Sequence, residues 1–236
     1  MFGRRWLEMT WRDGLFLHWA VAPETIAETL PDGLSVATYD DKAYLGVVAF
    51  VMDDIRPRGA PFGLSFPELN LRTYVEGPNG PGVYFYTLDA DDRLGVSAAR
   101  RLFALPYYRA AMEVSRGGQT EGCDPNTDRV RFTSRRIHSG VPPASFDASY
   151  EPTGESFTAE PGSLDAFLVE NYRFYADGNR LYCGEISHDP WRLRETDVDV
   201  RANTLFEANG FNHPDEEPLV RYAEPLDVSA DRIRRV

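Results

Sequence analysis

The feature that most constrains the fold is a ten-residue segment in which polar and apolar side chains alternate. It covers residues 66–75 and reads FPELNLRTYV. Alternation of this kind is typical of a β-strand, because successive strand side chains point to opposite faces of a sheet. One face is then apolar, and the other carries an acid, an amide, a guanidinium and a phenol about 7 Å apart from one to the next. This polar row consists of Glu68, Asn70, Arg72 and Tyr74.

The residues alone leave two interpretations of the polar row open. If it faces the interior of a barrel, it lines a cavity in which the Arg72 guanidinium can bind a carboxylate through two parallel hydrogen bonds. If it faces water, it is the outer surface of a sheet and takes part in cross-strand ion pairs.

Strand patterns dominate the rest of the chain. Residues 69–76 and 83–89 are predicted to form a hairpin, because the turn sequence GPNG separates them. Further strands are predicted at residues 15–21, 43–52, 109–115, 129–137, 145–151 and 181–188, and helices at residues 23–30, 92–104, 163–171 and 196–209. Many short strands without regular βαβ alternation predict an α+β fold, with a largely antiparallel, barrel-like sheet and a few flanking helices. We expect a single domain over residues 1–236.

The charge balance restricts the partners and the origin of the protein. The chain has 37 acidic and 25 basic residues, a formal net charge of -12, and Lys42 is its one lysine. This acidic, lysine-poor composition predicts a halophilic, archaeal origin. The same charge repels phosphate backbones, so neither nucleic acid nor an anionic membrane is an expected partner.

Compartment and metal content follow from other signals. No apolar run approaches the roughly 20 residues that span a bilayer, and no apolar segment follows the charged N-terminus, so no signal peptide is expected. Cys123 and Cys183 match no metal-binding spacing. Two thiols in a chain of this length indicate a reducing cytoplasm, although one disulfide remains an open alternative. No HxxxH or HExxH spacing occurs, and neither a metal nor a cofactor is expected.

The chain resembles the uncharacterised YqjF-like proteins of the acetoacetate decarboxylase-like superfamily over nearly its whole length. The block at residues 66–75 is the most specific part of this resemblance, and shorter motifs follow in the expected order. They are His18-Trp19, Ile55-Arg56-Pro57, Gly82-Val83-Tyr84-Phe85, Leu88-Asp89-Ala90, Ala99-Arg100, Leu105-Pro106-Tyr107, Glu170-Asn171-Tyr172-Arg173-Phe174-Tyr175 and His188-Asp189-Pro190-Trp191. The resemblance implies an acetoacetate decarboxylase-like β-barrel with a central cavity, and it implies no established activity.

The decarboxylase chemistry does not transfer to this chain. In acetoacetate decarboxylases, a lysine that follows an Arg-containing helix and a proline forms a Schiff base with the substrate, and Tyr107 occupies the matching position here. A phenol cannot form an imine. Lys42 follows Asp40 and Asp41, which favour its charged form and oppose its use as an amine nucleophile.

Four further residues are candidates for the site, each with a structural alternative. Tyr107 can donate a hydrogen bond to a ligand oxygen, or it can simply fill the cavity. His18 and His188 can act as an acid, a base or a ligand contact near neutral pH, or each can be a core residue packed beside a tryptophan. Arg100, on the predicted helix at residues 92–104, can point inward, or it can form a surface salt bridge.

These residues lead to three hypotheses for the function. The first is a binding module for a small carboxylate or carbonyl compound. Its cavity is lined by Glu68, Asn70, Arg72, Tyr74 and Tyr107, and His18, His188 and Arg100 are further candidate ligand contacts. The second is an enzyme without an imine intermediate, a decarboxylase or hydrolase in which Glu68 is the acid/base, Arg72 binds the carboxylate and Tyr107 assists. The third is a structural barrel with a filled interior and an Arg72–Glu68 ion pair. A homo-oligomer is compatible with each of them.

Overall fold

The computed structural model describes residues 6–92, 105–117, 128–177 and 180–236, and these residues are largely β-strand. The strands are β1 (Leu7–Val21), β2 (Ser35–Val36), β3 (Ala43–Pro57), β4 (Leu64–Gly77), β5 (Gly80–Ala90), β6 (Tyr107–Arg116), β7 (Val130–Arg136), β8 (Ser145–Thr158), β9 (Arg173–Asp177), β10 (Leu181–Ser187), β11 (Arg192–Asn203), β12 (Leu219–Ala223), β13 (Leu226–Ala230) and β14 (Arg234–Arg235). Three short helices are described, α1 (Pro23–Ala27), α2 (Leu164–Val169) and α3 (Leu205–Ala208). The α+β class that the sequence predicted is therefore wrong, and the protein is mainly β.

The predicted strands are confirmed, and several of them are longer than the sequence pattern indicated. The predicted hairpin is β4 and β5, which pair from Gly77 opposite Gly80 to Glu68 opposite Ala90. Gly80 has a φ of 101°, which only glycine adopts readily, so the turn places this residue where a side chain would be strained.

Two of the predicted helices are present in shortened form. Helix α1 covers Pro23–Ala27 of the predicted residues 23–30 and has a proline in its first turn. Helix α2 begins after Ser163, whose hydroxyl accepts a hydrogen bond from the Ala166 amide at 3.2 Å. The helix predicted at residues 196–209 is wrong, because most of that segment lies in β11, which pairs with β8, and only α3 is helical. Period-two alternation of Thr196, Val198 and Val200 and the pairing with β8 outweigh the weak helical propensity there. The helix predicted at residues 92–104 lies almost entirely outside the described residues.

All fourteen strands belong to one sheet that pairs back on itself. Two closed rings of strands share β1, β3, β4 and β5. The first ring is completed by β9, β10 and β13, and the second by β6, β7, β8, β11 and β12. The rings separate on β1, where residues 7–11 pair with β13 and residues 14–18 pair with β12. The buried Asp13, with a φ of 58°, lies at this branch, and its carbonyl accepts a 2.6 Å hydrogen bond from Tyr150.

Each shared strand contributes to two separate cores, because its side chains alternate between the interiors of the two rings. Val48 and Tyr74 belong to one core, and Val47 and Leu71 belong to the other. The polar row of β4 includes Tyr74, which belongs to the core of the first ring, so the row points into that core. No helix among the described residues is long and apolar enough to cross a membrane.

Candidate functional site

A cavity of about 380 Å³ lies in the core of the first ring. This volume is within the range of roughly 300–1,000 Å³ that is usual for small-ligand sites. Its wall is mostly apolar and aromatic, with polar groups from β4, β6 and the segment after β10. The polar residues of interest are Glu68, Asn70, Arg72, Tyr107 and His188.

The register of β3 and β4 explains why three of these polar side chains line one wall. Glu68 lies opposite Phe50, Asn70 opposite Val48, and Arg72 opposite Gly46. Only 3% of Glu68 and 3% of Asn70 is exposed, and the intervening leucines of β4 lie in the other core. The interpretation of the polar row as a solvated outer face is therefore wrong.

Glu68 is the chemically most perturbed group of this wall. Tyr107 donates a 2.6 Å hydrogen bond to its Oε2 atom, and Asn70 donates a 3.5 Å hydrogen bond to its Oε1 atom. Burial raises the pKa of Glu68 to about 7, even though both hydrogen bonds act to lower it. Burial and the nearby Glu68 also raise the pKa of the Tyr107 phenol well above its usual value. The pair can therefore hold or release one proton near neutral pH.

Tyr107 reaches Glu68 through a pairing between strands that are distant in the sequence. It is the first residue of β6, which runs parallel to β5, and it lies opposite Leu88. Since β5 also pairs with β4, the phenol is brought beside the Glu68 carboxyl. Tyr107 thus contacts the polar row directly, at the position where the sequence resemblance would place a lysine.

Arg72 is held by neutral groups. Its Nη2 atom donates to the Leu168 carbonyl oxygen at 3.1 Å and to the Tyr74 hydroxyl at 3.5 Å, and its guanidinium carbon is 5.4 Å from the centre of the Phe16 ring. Its Nε atom is buried and has no hydrogen-bond partner among the described residues. No carboxylate of the described residues forms an ion pair with Arg72. The Arg72–Glu68 ion pair that the structural hypothesis required is therefore wrong.

His18 lies behind Arg72, outside the lining of the cavity. The two residues flank Gly46 on neighbouring strands, and a β-carbon on Gly46 would lie 3.0 Å from the His18 Cδ2 atom. Burial, together with the charge of Arg72, lowers the pKa of His18 well below its usual value. A neutral imidazole therefore packs beside the guanidinium.

His188 also lines the cavity. Its Nδ1 atom lies 2.7 Å from the Asp189 carbonyl oxygen, and its ring stacks on Tyr172 at a centroid distance of 4.6 Å. Burial lowers its pKa. The sequence did not single out Trp11, Phe16 and Phe50, three aromatic residues that line the cavity together with Trp191.

The remaining candidates lie elsewhere. Tyr74 donates a 2.9 Å hydrogen bond to the Leu168 carbonyl oxygen and lines an outer groove, which adjoins the cavity at Asn171. Arg100 lies outside the described residues. The side chain of Lys42 is 54% exposed and lies 3.8 Å from Glu216, away from the cavity. In the described ranges, no group of three or more His, Cys, Asp or Glu side chains is arranged to hold a metal ion.

This architecture is an acetoacetate decarboxylase-like fold. The enduracididine biosynthesis enzyme MppR complexed with pyruvate superposes with a TM-score of 0.67 at 15% identity, over 100% of this chain and 91% of that chain. Acetoacetate decarboxylase from Legionella pneumophila superposes with a TM-score of 0.67 at 10% identity, over 98% of this chain and 87% of that chain. Identities this low show a shared fold alone.

Sequence similarity also identifies the family of the protein. The chain belongs to DUF2071, a family of uncharacterized conserved proteins whose model matches residues 8–227. The uncharacterized protein YqjF of Bacillus subtilis (strain 168) is 38% identical over 226 residues, which cover 94% of this chain and 89% of that protein. The YqjF-like resemblance is therefore confirmed.

Proposed function

We propose that the protein binds a small carboxylate or carbonyl compound with an apolar body inside the first ring of strands, which acts as a β-barrel. This proposal rests on the surroundings of the Arg72 guanidinium. A partly buried guanidinium with no carboxylate partner in the described part of the chain lines a mostly apolar cavity. A buried cation without a counter-ion is costly, and a ligand carboxylate supplies that counter-ion.

The neighbours of Arg72 suit such an anion. Glu68, with its pKa of about 7, is protonated in slightly acidic solution and then does not repel a carboxylate. A bound anion favours this protonated form further, because two like charges in one apolar site repel each other. The neighbouring fold member MppR has been solved with pyruvate, a small carboxylate, and this supports the same ligand class.

A second candidate function is acid–base catalysis without an imine. The specific observation in its favour is Glu68, a carboxyl with a pKa of about 7 that lines a cavity of substrate size and accepts a hydrogen bond from Tyr107. In this function Arg72 holds the substrate carboxylate, and Glu68 with Tyr107 transfers a proton to or from the reacting group. Imine formation by a lysine is absent from both functions, because the one lysine of the chain lies outside the cavity.

Calorimetry and thermal-shift measurements in molar KCl test the binding proposal. The probes are pyruvate, acetoacetate and 3-phenylpropanoate, each compared with its neutral amide. We expect the carboxylates to bind and raise the melting temperature, and the amides to bind more weakly. Arg72→Met should weaken carboxylate binding about 10- to 100-fold, because it removes a charge-assisted contact.

Two variants make the result specific. Arg131→Met removes a half-exposed arginine that pairs with Asp147, and it should leave the affinity unchanged. Glu68→Gln separates the two functions in slightly acidic solution, where Glu68 is protonated. A binding protein then keeps its affinity for the carboxylates, whereas an enzyme loses turnover of the same compounds. If no carboxylate binds the wild-type protein, or if Arg72→Met and Arg131→Met behave alike, the binding proposal is wrong.

A further inference from the structure

Two polar atoms on the aromatic side of the cavity are not used by the function proposed above. They are Nε1 of Trp11 and Nε2 of His188, and both residues line the cavity. Both atoms are buried, and neither has a hydrogen-bond partner among the residues that the structure describes. Buried polar atoms are nearly always paired, so this side of the cavity lacks a group that a ligand can supply.

The hydrogen-bonding role of each atom follows from its surroundings. The Asp189 carbonyl oxygen, 2.7 Å from Nδ1 of His188, can only accept, so Nδ1 carries the proton. Burial lowers the pKa of His188, and the ring is therefore neutral with an acceptor lone pair on Nε2. The indole Nε1 of Trp11 can only donate. One acceptor and one donor thus occur side by side, on rings whose centroids are 6.4 Å apart.

The surrounding aromatic rings hold both groups in place. Trp191 stacks on Trp11 at a centroid distance of 5.8 Å and lies 5.2 Å from His188. Tyr172 stacks on the His188 ring at 4.6 Å. The rotamers of the donor and the acceptor are therefore constrained by packing, as is required for recognition of a specific group.

The position of this pair relative to the polar row sets the length of the ligand. Trp11 lies opposite Met52, and Met52 lies opposite Phe66, which precedes Asn70 by four residues on β4. At roughly 3.3 Å per residue, Asn70 is on the order of 13 Å from this pair along the strands, and Arg72 is on the order of 20 Å from it. Pyruvate is too short to span from this pair to Asn70.

We propose that the cavity recognises an elongated hydroxy acid, whose carboxylate binds at Arg72 and Asn70 and whose hydroxyl oxygen binds between Trp11 Nε1 and His188 Nε2. A hydroxyl group accepts from the indole and donates to the imidazole through a single oxygen atom. The apolar body of the ligand packs between the aromatic side chains. This inference rests on the proposed function and specifies its ligand class.

Matched ligand pairs test the inference by calorimetry. The pairs are 3-phenylpropanoate with 3-(4-hydroxyphenyl)propanoate, and hexanoate with 6-hydroxyhexanoate. We expect the hydroxylated member of at least one pair to bind wild-type protein about tenfold more tightly. His188→Phe and Trp11→Phe keep an aromatic ring and remove the acceptor or the donor, so each should abolish this preference and leave the affinity for the other member nearly unchanged.

His213→Phe is the matched control. Its Nδ1 atom lies 2.8 Å from the Pro214 carbonyl oxygen, as in His188, but His213 is not among the residues that line the cavity. This variant should retain the full preference. His188→Phe and Trp11→Phe are independent of each other, so the test remains decisive if one of them fails to fold. Circular dichroism shows whether each variant is folded.

Three results would overturn the inference. If both members of each pair bind wild-type protein equally and Arg72→Met weakens both, the hydroxy-acid inference fails and carboxylate binding stands. If His188→Phe and Trp11→Phe weaken both members by the same factor, the two residues only pack. If no acid of either pair binds, the carboxylate proposal fails, and the inference fails with it.

Discussion

Replacing Glu68 with glutamine should change how the stability of the protein depends on pH. The pKa of Glu68 is raised from 4.5 to about 7 by burial. Between these values the native state holds a proton that the unfolded chain has released, so the free energy of unfolding falls as the pH rises. One pKa unit corresponds to about 1.4 kcal/mol, so Glu68 contributes about 3 kcal/mol of stability below pH 4.5 that is lost as the pH rises through 7.

Glutamine resembles the protonated carboxyl in shape and does not titrate. The free energy of unfolding of Glu68→Gln minus that of wild type should therefore increase by about 3 kcal/mol from below pH 4.5 to well above pH 7. Urea unfolding of both proteins at a series of pH values measures this difference, and the contributions of all other carboxyls cancel. Glu160→Gln, at an exposed position, is the control for the assay.

A direct titration supports the same argument. Infrared spectroscopy follows the carbonyl stretch of a buried protonated carboxyl, and this band should disappear with a midpoint near pH 7 in wild type and be missing in Glu68→Gln. Tyr107→Phe should move the midpoint to higher pH, because the Tyr107 hydrogen bond lowers the pKa of Glu68. A stability difference that stays constant across this pH range would refute the reasoning.

Substitutions at three further positions test the interactions that stabilise the fold. Arg136→Met should destabilise the protein by about 3–5 kcal/mol in urea unfolding, because it leaves the buried Asp89, now bonded at 2.8 Å, without its partner. Gly46→Ala should cost about 1–3 kcal/mol, because the added methyl group would lie 3.0 Å from the His18 ring, and a smaller effect would show that the ring can move aside. Ser163→Ala should cost about 1 kcal/mol through loss of the α2 cap, whereas Ser163→Asp should retain most of the stability.

The alternating segment at residues 66–75 shows how far local pattern alone can predict this fold. Its period of two predicted a strand and assigned each residue to a face, and the structure confirms both. The period does not show what lies against each face. Because β4 belongs to both closed rings, both of its faces are buried, and the polar one lines a cavity where a two-layer sheet would place solvent.

The predictions from sequence failed where the contacts that decide the structure join residues far apart in the sequence. Strand β11 is strand because it pairs with β8, which begins about 50 residues earlier, and its own propensity is ambiguous. Trp11 and His188 are about 180 residues apart, and no local signal indicates that their rings meet. Long-range pairing of this kind is decided by the closure of the sheet.

The sequence by itself determined that β4 carries an acid, an amide, a guanidinium and a phenol on one face, that a phenol follows Pro106, and that Lys42 is the one lysine of the chain. Only the tertiary structure decided that this face is buried, that Tyr107 contacts Glu68 at 2.6 Å, and that the pKa of Glu68 is about 7. The physical reason is that side-chain chemistry is local, whereas desolvation depends on every strand that encloses the group.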